Sequence, residues 1–172
     1  MENDILFSET QKFKQWWIWL ILLGINGQSF YAIYIQVIKE QPYGNNPMSD
    51  MGLFISAGLM LLLTVLFFTF RLETKIENDG IYVKFFPFHL SYKHYGWNKI
   101  SKSYVRKYNP ILEYGGWGFR LGIFGKGRAF NVSGNQGLQL EFNDRKKLLI
   151  GTNKPVELTE TLIKIGHLKP EQ

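Results

Sequence analysis

The chain has 172 residues, a net charge of +6 and no cysteine, which excludes disulfide stapling, thiol catalysis and Cys-based zinc sites. Residues 1–70 carry 3 Lys/Arg against 5 Asp/Glu, and residues 71–172 carry 17 against 9. An acidic, apolar first part (net −2) therefore precedes a basic remainder (net +8) of a size suited to one domain.

Residues 1–14 read as a cytoplasmic N-terminal segment. They contain Glu2, Asp4 and Glu9 and lack the charge pattern of a signal peptide. Two uncharged apolar runs follow, Gln15–Ile38 and Met51–Phe70, of 24 and 20 residues. At 1.5 Å per helical residue each reaches about 30 Å or more, the thickness of a hydrocarbon core. The second run holds 12 Leu, Ile, Val or Phe, contributing about −4 to −7 kcal/mol on the insertion scale. The first opens with Trp16, Trp17 and Trp19, suited to a membrane interface.

Residues 15–70 thus read as a transmembrane hairpin with helices at about 15–38 and 51–70 and a Pro/Gly/Asn-rich loop at Lys39–Asp50. Asn26, Ser29 and Gln36 share one face of the first helix, and Gly52 and Ser56 form a small-xxx-small pair on the second. These five residues point to helix packing within the bilayer, with a polar ligand site as the sharper alternative. Lys12, Lys14, Arg71, Lys75 and Lys84 flank the hairpin and place both termini in the cytoplasm, in a bacterial inner membrane. The sequon Asn131-Val-Ser133 offers a glycosylation test of that topology.

Beyond Arg71 the pattern alternates with period two. Strands are expected near 73–78, 80–86, 89–95, 99–107, 118–124, 127–133, 137–142 and 146–150, separated by turn residues. Pro155 opens an amphipathic helix to about 165–166, followed by Gly166 and Pro170. The expected fold is an α+β membrane protein: a two-helix hairpin, then a mostly antiparallel cytoplasmic β domain at 71–172, closed as a small barrel or sandwich by one C-terminal helix.

The segments Asn78-Asp79-Gly80-Ile81, Trp97-Asn98-Lys99-Ile100, Tyr114 to Arg120, Ala129 to Asn135, Gly137 to Phe142 and Leu149 to Thr152 with Pro155 resemble bacterial PH-like (pleckstrin-homology-like) membrane proteins over about residues 72–166. The resemblance implies a seven-stranded barrel capped by the helix. It supplies no ligand and no catalytic residue.

The glycine-rich stretch Gly115–Gly122 is followed by a strand pattern, so it is not a phosphate loop leading into a helix. Trp117 is expected to plug the barrel, or to line a pocket with Arg120. His89 and His94 would lie on opposite faces of one strand, which disfavours metal binding. No catalytic constellation and no cofactor motif is found, so a non-enzymatic module is expected. The stronger signal is basic: Lys99, Lys102, Arg106 and Lys107, then Arg120, Lys126 and Arg128, with Arg145–Lys147 at a hairpin tip. Beside a bilayer these residues suggest contact with anionic lipid or a protein partner rather than nucleic acid. The alternative is a subunit of a transport or envelope complex, or a homo-oligomer, packing through the hairpin.

Overall fold

A computed structural model describes residues 4–122 and 126–168. The chain forms two compact units, one spanning Lys14–Thr69 and the other built from the segments before and after it.

The Lys14–Thr69 unit is a helical hairpin. Helix α1 (Trp16–Ile33) runs on into a wider π turn, Tyr34–Ile38, and α2 is Asp50–Thr69. Trp19 meets Phe68 edge to face at 5.9 Å. Asn26 bonds to Thr64, and Gln36 to Asp50. That register makes the helices antiparallel. Leu22, Asn26 and Ala32 are the buried residues of α1, and Ala57 that of α2. Leu23, Leu62 and Phe68 are among many large apolar side chains left exposed.

Among the described residues, the other unit holds nine strands in two sheets. The first has the order β1-β2-β3-β4, all antiparallel: Phe7–Lys12, Arg71–Glu77, Gly80–Phe86 and Lys93–Gly96. A 3-10 turn at Trp97–Lys99 leads into the second. Its strands are β5 (Ile100–Lys107), β6 (Gly118–Leu121), β7 (Arg128–Asn131), β8 (Gln136–Phe142) and β9 (Lys147–Gly151). They lie in the order β5-β8-β9-β7-β6.

Alternation buries Leu72, Ile76, Ile81, Val83 and Phe85 from the first sheet and Phe130, Leu138, Leu140 and Ile150 from the second. Phe85 and Phe130 stack at 6.4 Å, joining the two layers. Helix α4 (Pro155–Lys164) adds Leu158 and Leu162 at i and i+4. Its C-terminal end is held where the His167 ring stacks on Trp97 at 4.1 Å and the His167 carbonyl accepts from Ser103 Oγ.

Some expectations change. The sheets do not close into a barrel. The second sheet is mostly antiparallel, except that β9 inserts beside β7 and runs parallel to it. Gly127 permits this approach, since a Cβ there would stand 2.2 Å from the Lys147 carbonyl oxygen. The strand expected from 89 starts only at Lys93, and the one expected to 124 ends at Leu121; Ile123 and Phe124, like Pro170, lie outside the described residues.

The segment read as an N-terminal tail contains β1, paired with β2 from Phe7↔Ile76 to Lys12↔Arg71. Its inward positions after Phe7 are Glu9 and Gln11, so it lacks the apolar alternation of a half-buried strand. The Glu9 carboxylate and the Gln11 amide nitrogen are matched. Glu9 accepts from Thr152 Oγ1 (2.7 Å) and the Asn153 N–H (2.8 Å), and Gln11 donates to the Gly151 carbonyl (2.6 Å).

Replacing Glu9 by Ala leaves the buried Thr152 hydroxyl without its acceptor, at about 1–3 kcal/mol, and removes the bond to the Asn153 N–H. Chemical unfolding followed by circular dichroism should show that loss for Glu9→Ala. Thr10→Ala, on the exposed face of the same strand, should stay within about 0.5 kcal/mol of the parent.

Candidate functional site: a basic cleft

The end of β4, the end of β6, the start of β7 and the β8–β9 turn surround an open cleft of about 750 Å³. Five cations line it: Lys99, Arg128, Arg145, Lys146 and Lys147. Among the described residues, Asp144 is the one lining carboxylate. Lys146 is paired with Asp144 at 2.6 Å, and Lys147 with Glu141 at 3.0 Å. Those contacts hold both carboxyls below their ordinary values. Among the described residues, Lys99, Arg128 and Arg145 have no ion pair.

The turn chemistry explains the placement. Phe142 and Lys146 close the hairpin, with the Phe142 N–H donating to the Lys146 carbonyl. Asp144 Oδ1 accepts the Lys146 N–H, and Arg145 takes a left-handed φ of 65°. The cleft's apolar walls include Leu121, Leu148 and the Tyr95 and Phe142 rings, 5.5 Å apart. Burial pushes the Tyr95 phenol up, while the nearby Arg128 charge pulls it down. The site thus combines fixed positive charge with apolar surface, which suits an anionic group carried on an apolar or neutral body.

The sequence-selected basic residues are divided by the fold. Lys99, Arg128 and Arg145–Lys147 belong to the cleft. Arg106 forms an ion pair with Glu113 at 2.8 Å, with Lys126 at 3.9 Å from the same carboxylate. Arg120 donates to the Trp117 carbonyl at 3.0 Å. Lys102 lies opposite Glu141 on the neighbouring strand, and Lys107 is exposed at the end of β5.

Glu113 has a structural role as well. It accepts the Asn109 N–H while Asn109 Oδ1 accepts from Ile111 and Leu112, in the manner of a capping box. This starts the short helix α3 (Pro110–Tyr114), which carried no strong sequence signal. Gly115, with φ of 69°, ends it as a left-handed cap. Helix α3 covers the outer face of the second sheet, where Tyr108, Tyr114, Ala129 and Leu149 cluster. With no barrel to plug, Trp117 is half-buried and donates to the Gly134 carbonyl at 3.0 Å. Trp117 and Arg120 lie outside the cleft lining.

In the hairpin, Asn26 donates to the Leu22 carbonyl (2.7 Å) and Thr64 Oγ1 (2.9 Å). Ser29 donates to the Ile25 carbonyl, and Gln36 to the Met48 carbonyl and Asp50. Ser56 donates to the Leu53 carbonyl, and Gly52 sits against Met48 and Ser49.

Asn131 of the sequon is fully buried, donating to the Tyr108 hydroxyl and accepting the Gly118 N–H. An unmodified Asn131 therefore carries no topological information. His89 leaves the expected strand for the β3–β4 turn, where it is buried against Phe119 and Phe130. His94 lies 3.4 Å from Asp79 and stacks on Tyr82. Among the described residues no three His, Asp or Glu are placed to hold a metal ion.

No family model, curated protein or solved structure matches the chain.

His89 Nδ1 accepts the Phe85 N–H at 3.3 Å, which requires an unprotonated nitrogen. Burial, aided by the Lys93 charge, lowers its pKa from the ordinary 6.5. Below that value the unfolded chain binds the proton and the folded chain resists it, so stability falls as pH drops through the window beneath about 6.5. Unfolding free energies at a series of pH values should show this slope. His89→Gln should flatten it there without altering the loss below the carboxylate range.

Proposed function

We propose that the protein is a membrane-tethered, non-enzymatic binding module whose basic cleft takes an anionic, phosphate-type group. The observation that carries the reading is the convergence of Lys99, Arg128 and Arg145 on one open cleft without partner carboxylates. A 3-10 turn, the start of β7 and the β8–β9 turn supply this charge. Guanidinium groups suit phosphate because their donors are planar and always charged.

Tethering is supported by the hairpin's surface. Helices apolar on every side belong inside a large core or a bilayer, and here the apolar side chains face outward, with only 6% of the α2 span buried. The β1–β2 pairing adds to this. Lys12 lies opposite Arg71, so the two ends of the hairpin are held together, as two membrane crossings require. The flanking basic residues favour a cytoplasmic face of a bacterial inner membrane. There the ligand is either an anionic lipid headgroup or a soluble phosphate compound.

A second reading, assembly through the hairpin, draws on Gln28. Asn26, Ser29 and Gln36 find partners within the hairpin, whereas Gln28 is exposed near mid-span beside Gly24 and Gly27, which have open space around them. A second helix would satisfy that amide. If so, Gln28→Leu shifts the detergent-solubilised protein toward monomer in sedimentation.

The cleft reading is tested on the full chain in a neutral detergent. Short-chain phosphatidylglycerol, short-chain phosphatidylcholine and inorganic phosphate are titrated while thermal unfolding is followed. An anionic ligand at ten times its Kd stabilises by about 1.4 kcal/mol. The Arg128→Gln/Arg145→Gln double variant should lose that gain. Phosphatidylglycerol alone acting identifies a lipid headgroup; inorganic phosphate acting equally identifies a soluble ligand. No response to either, or an unchanged response in the double variant, refutes the reading.

A further inference from the structure

The β3–β4 turn leaves two large apolar side chains in the open: Phe88 is 58% exposed and Leu90 80% exposed. Neither belongs to the cleft, and neither serves the core. Phe88 is nevertheless rigidly placed. It stacks on Phe70 at 5.7 Å and on Phe85 at 5.6 Å, and meets Phe119 at 5.5 Å. Phe70 in turn meets Phe13 at 5.8 Å. Four rings, Phe13, Phe70, Phe88 and Phe119, therefore form a continuous row along one edge of the β unit.

The position of that row in the chain says what covers it. Phe70 directly follows Thr69, the last residue of α2, and Phe13 lies three residues before Trp16, the first residue of α1. The row thus starts at both points where the chain leaves for the apolar helices. Basic residues lie next to it in the chain. Lys12 precedes Phe13, Arg71 follows Phe70, and Lys93 is close enough to His89 to help lower its pKa. Aromatic and aliphatic tips with Lys and Arg nearby are the composition that settles at a membrane–water interface.

We propose that this turn is a membrane-interface element: Phe88 and Leu90 enter the headgroup region of the bilayer that holds the hairpin, fixing the β unit's orientation to the lipid surface. The inference rests on the membrane reading of the hairpin. It adds a second, non-helical contact made by the β unit itself. A tether alone leaves a domain free to tumble, whereas apolar tips of the β unit held in the headgroup region remove that freedom.

The absence of cysteine allows single-site spin labelling of the full chain without a background. Leu90→Cys, Leu62→Cys and Leu112→Cys are labelled separately, and the protein is reconstituted in phosphatidylcholine/phosphatidylglycerol nanodiscs. Accessibility to oxygen and to a water-soluble nickel chelate gives the depth of each label. Leu62 lies within α2, and Leu112, 73% exposed on α3, reports the aqueous surface. The Leu90 label should be shielded from nickel several-fold more than the Leu112 label, and lie shallower than the Leu62 label. If the Leu90 label matches Leu112 while the Leu62 label lies deep, the interface element is refuted and the hairpin stands. If Leu62 is also open to nickel, both fall. Phe88→Cys repeats the measurement beside Leu90, and a thermal transition equal to the parent's shows that the label has not disturbed the fold.

Discussion

The pairing of β1 with β2 is the constraint on which the rest of the structure depends. The two strands flank the helical hairpin in sequence, and their ladder sets Lys12 opposite Arg71. Neighbouring strands stand about 4.8 Å apart, so the hairpin is an insertion with both ends pinned at one edge of a sheet. The same strand reaches across to the end of the second sheet, because Glu9 and Gln11 bond to Gly151, Thr152 and Asn153. The earliest described strand is thereby fastened to the last one, and the β unit is complete only when segments from both sides of the hairpin come together.

Charge is distributed with similar economy. Arg71, Arg106 and Lys147 are each engaged with a carboxylate on a strand or short helix nearby. Exposed pairs of this kind stabilise by little. They occupy those three cations with carboxylates, whereas Lys99, Arg128 and Arg145 line one cleft. The ten basic residues that stood out in sequence form no single face. Five lie in the cleft, two share Glu113, and the others stand apart.

Much of the secondary structure was legible beforehand because its signals are local. The apolar runs mark α1 and α2 to within a few residues, and Asn78-Asp79-Gly80 marks the turn between β2 and β3. Pro155 opens α4, whose Leu158 and Leu162 face the sheets. What escaped notice had its compensation elsewhere in the chain. β1 looks polar because Glu9 and Gln11 are matched by groups more than a hundred residues away. Helix α3 is only five residues long, and Arg106 from another strand steadies its Glu113. His89 reads as a strand residue until the aromatic pocket of Phe119 and Phe130 holds it in a turn.

The sequence by itself determined the two apolar helices, the basic remainder, the lack of cysteine chemistry and most strand and turn positions. Each follows from hydrophobic periodicity, turn residues or composition, which act over a few neighbouring residues. Only the tertiary structure decided that two sheets pack face to face without closing, that β9 runs parallel beside β7, and that Arg128 and the Arg145 turn face Lys99 across one cleft. It also decided that Phe88 continues an aromatic row from Phe13 and Phe70. These depend on strand order and long-range register, which no local pattern encodes, because a strand's alternation specifies which face is buried and not which neighbour it pairs with.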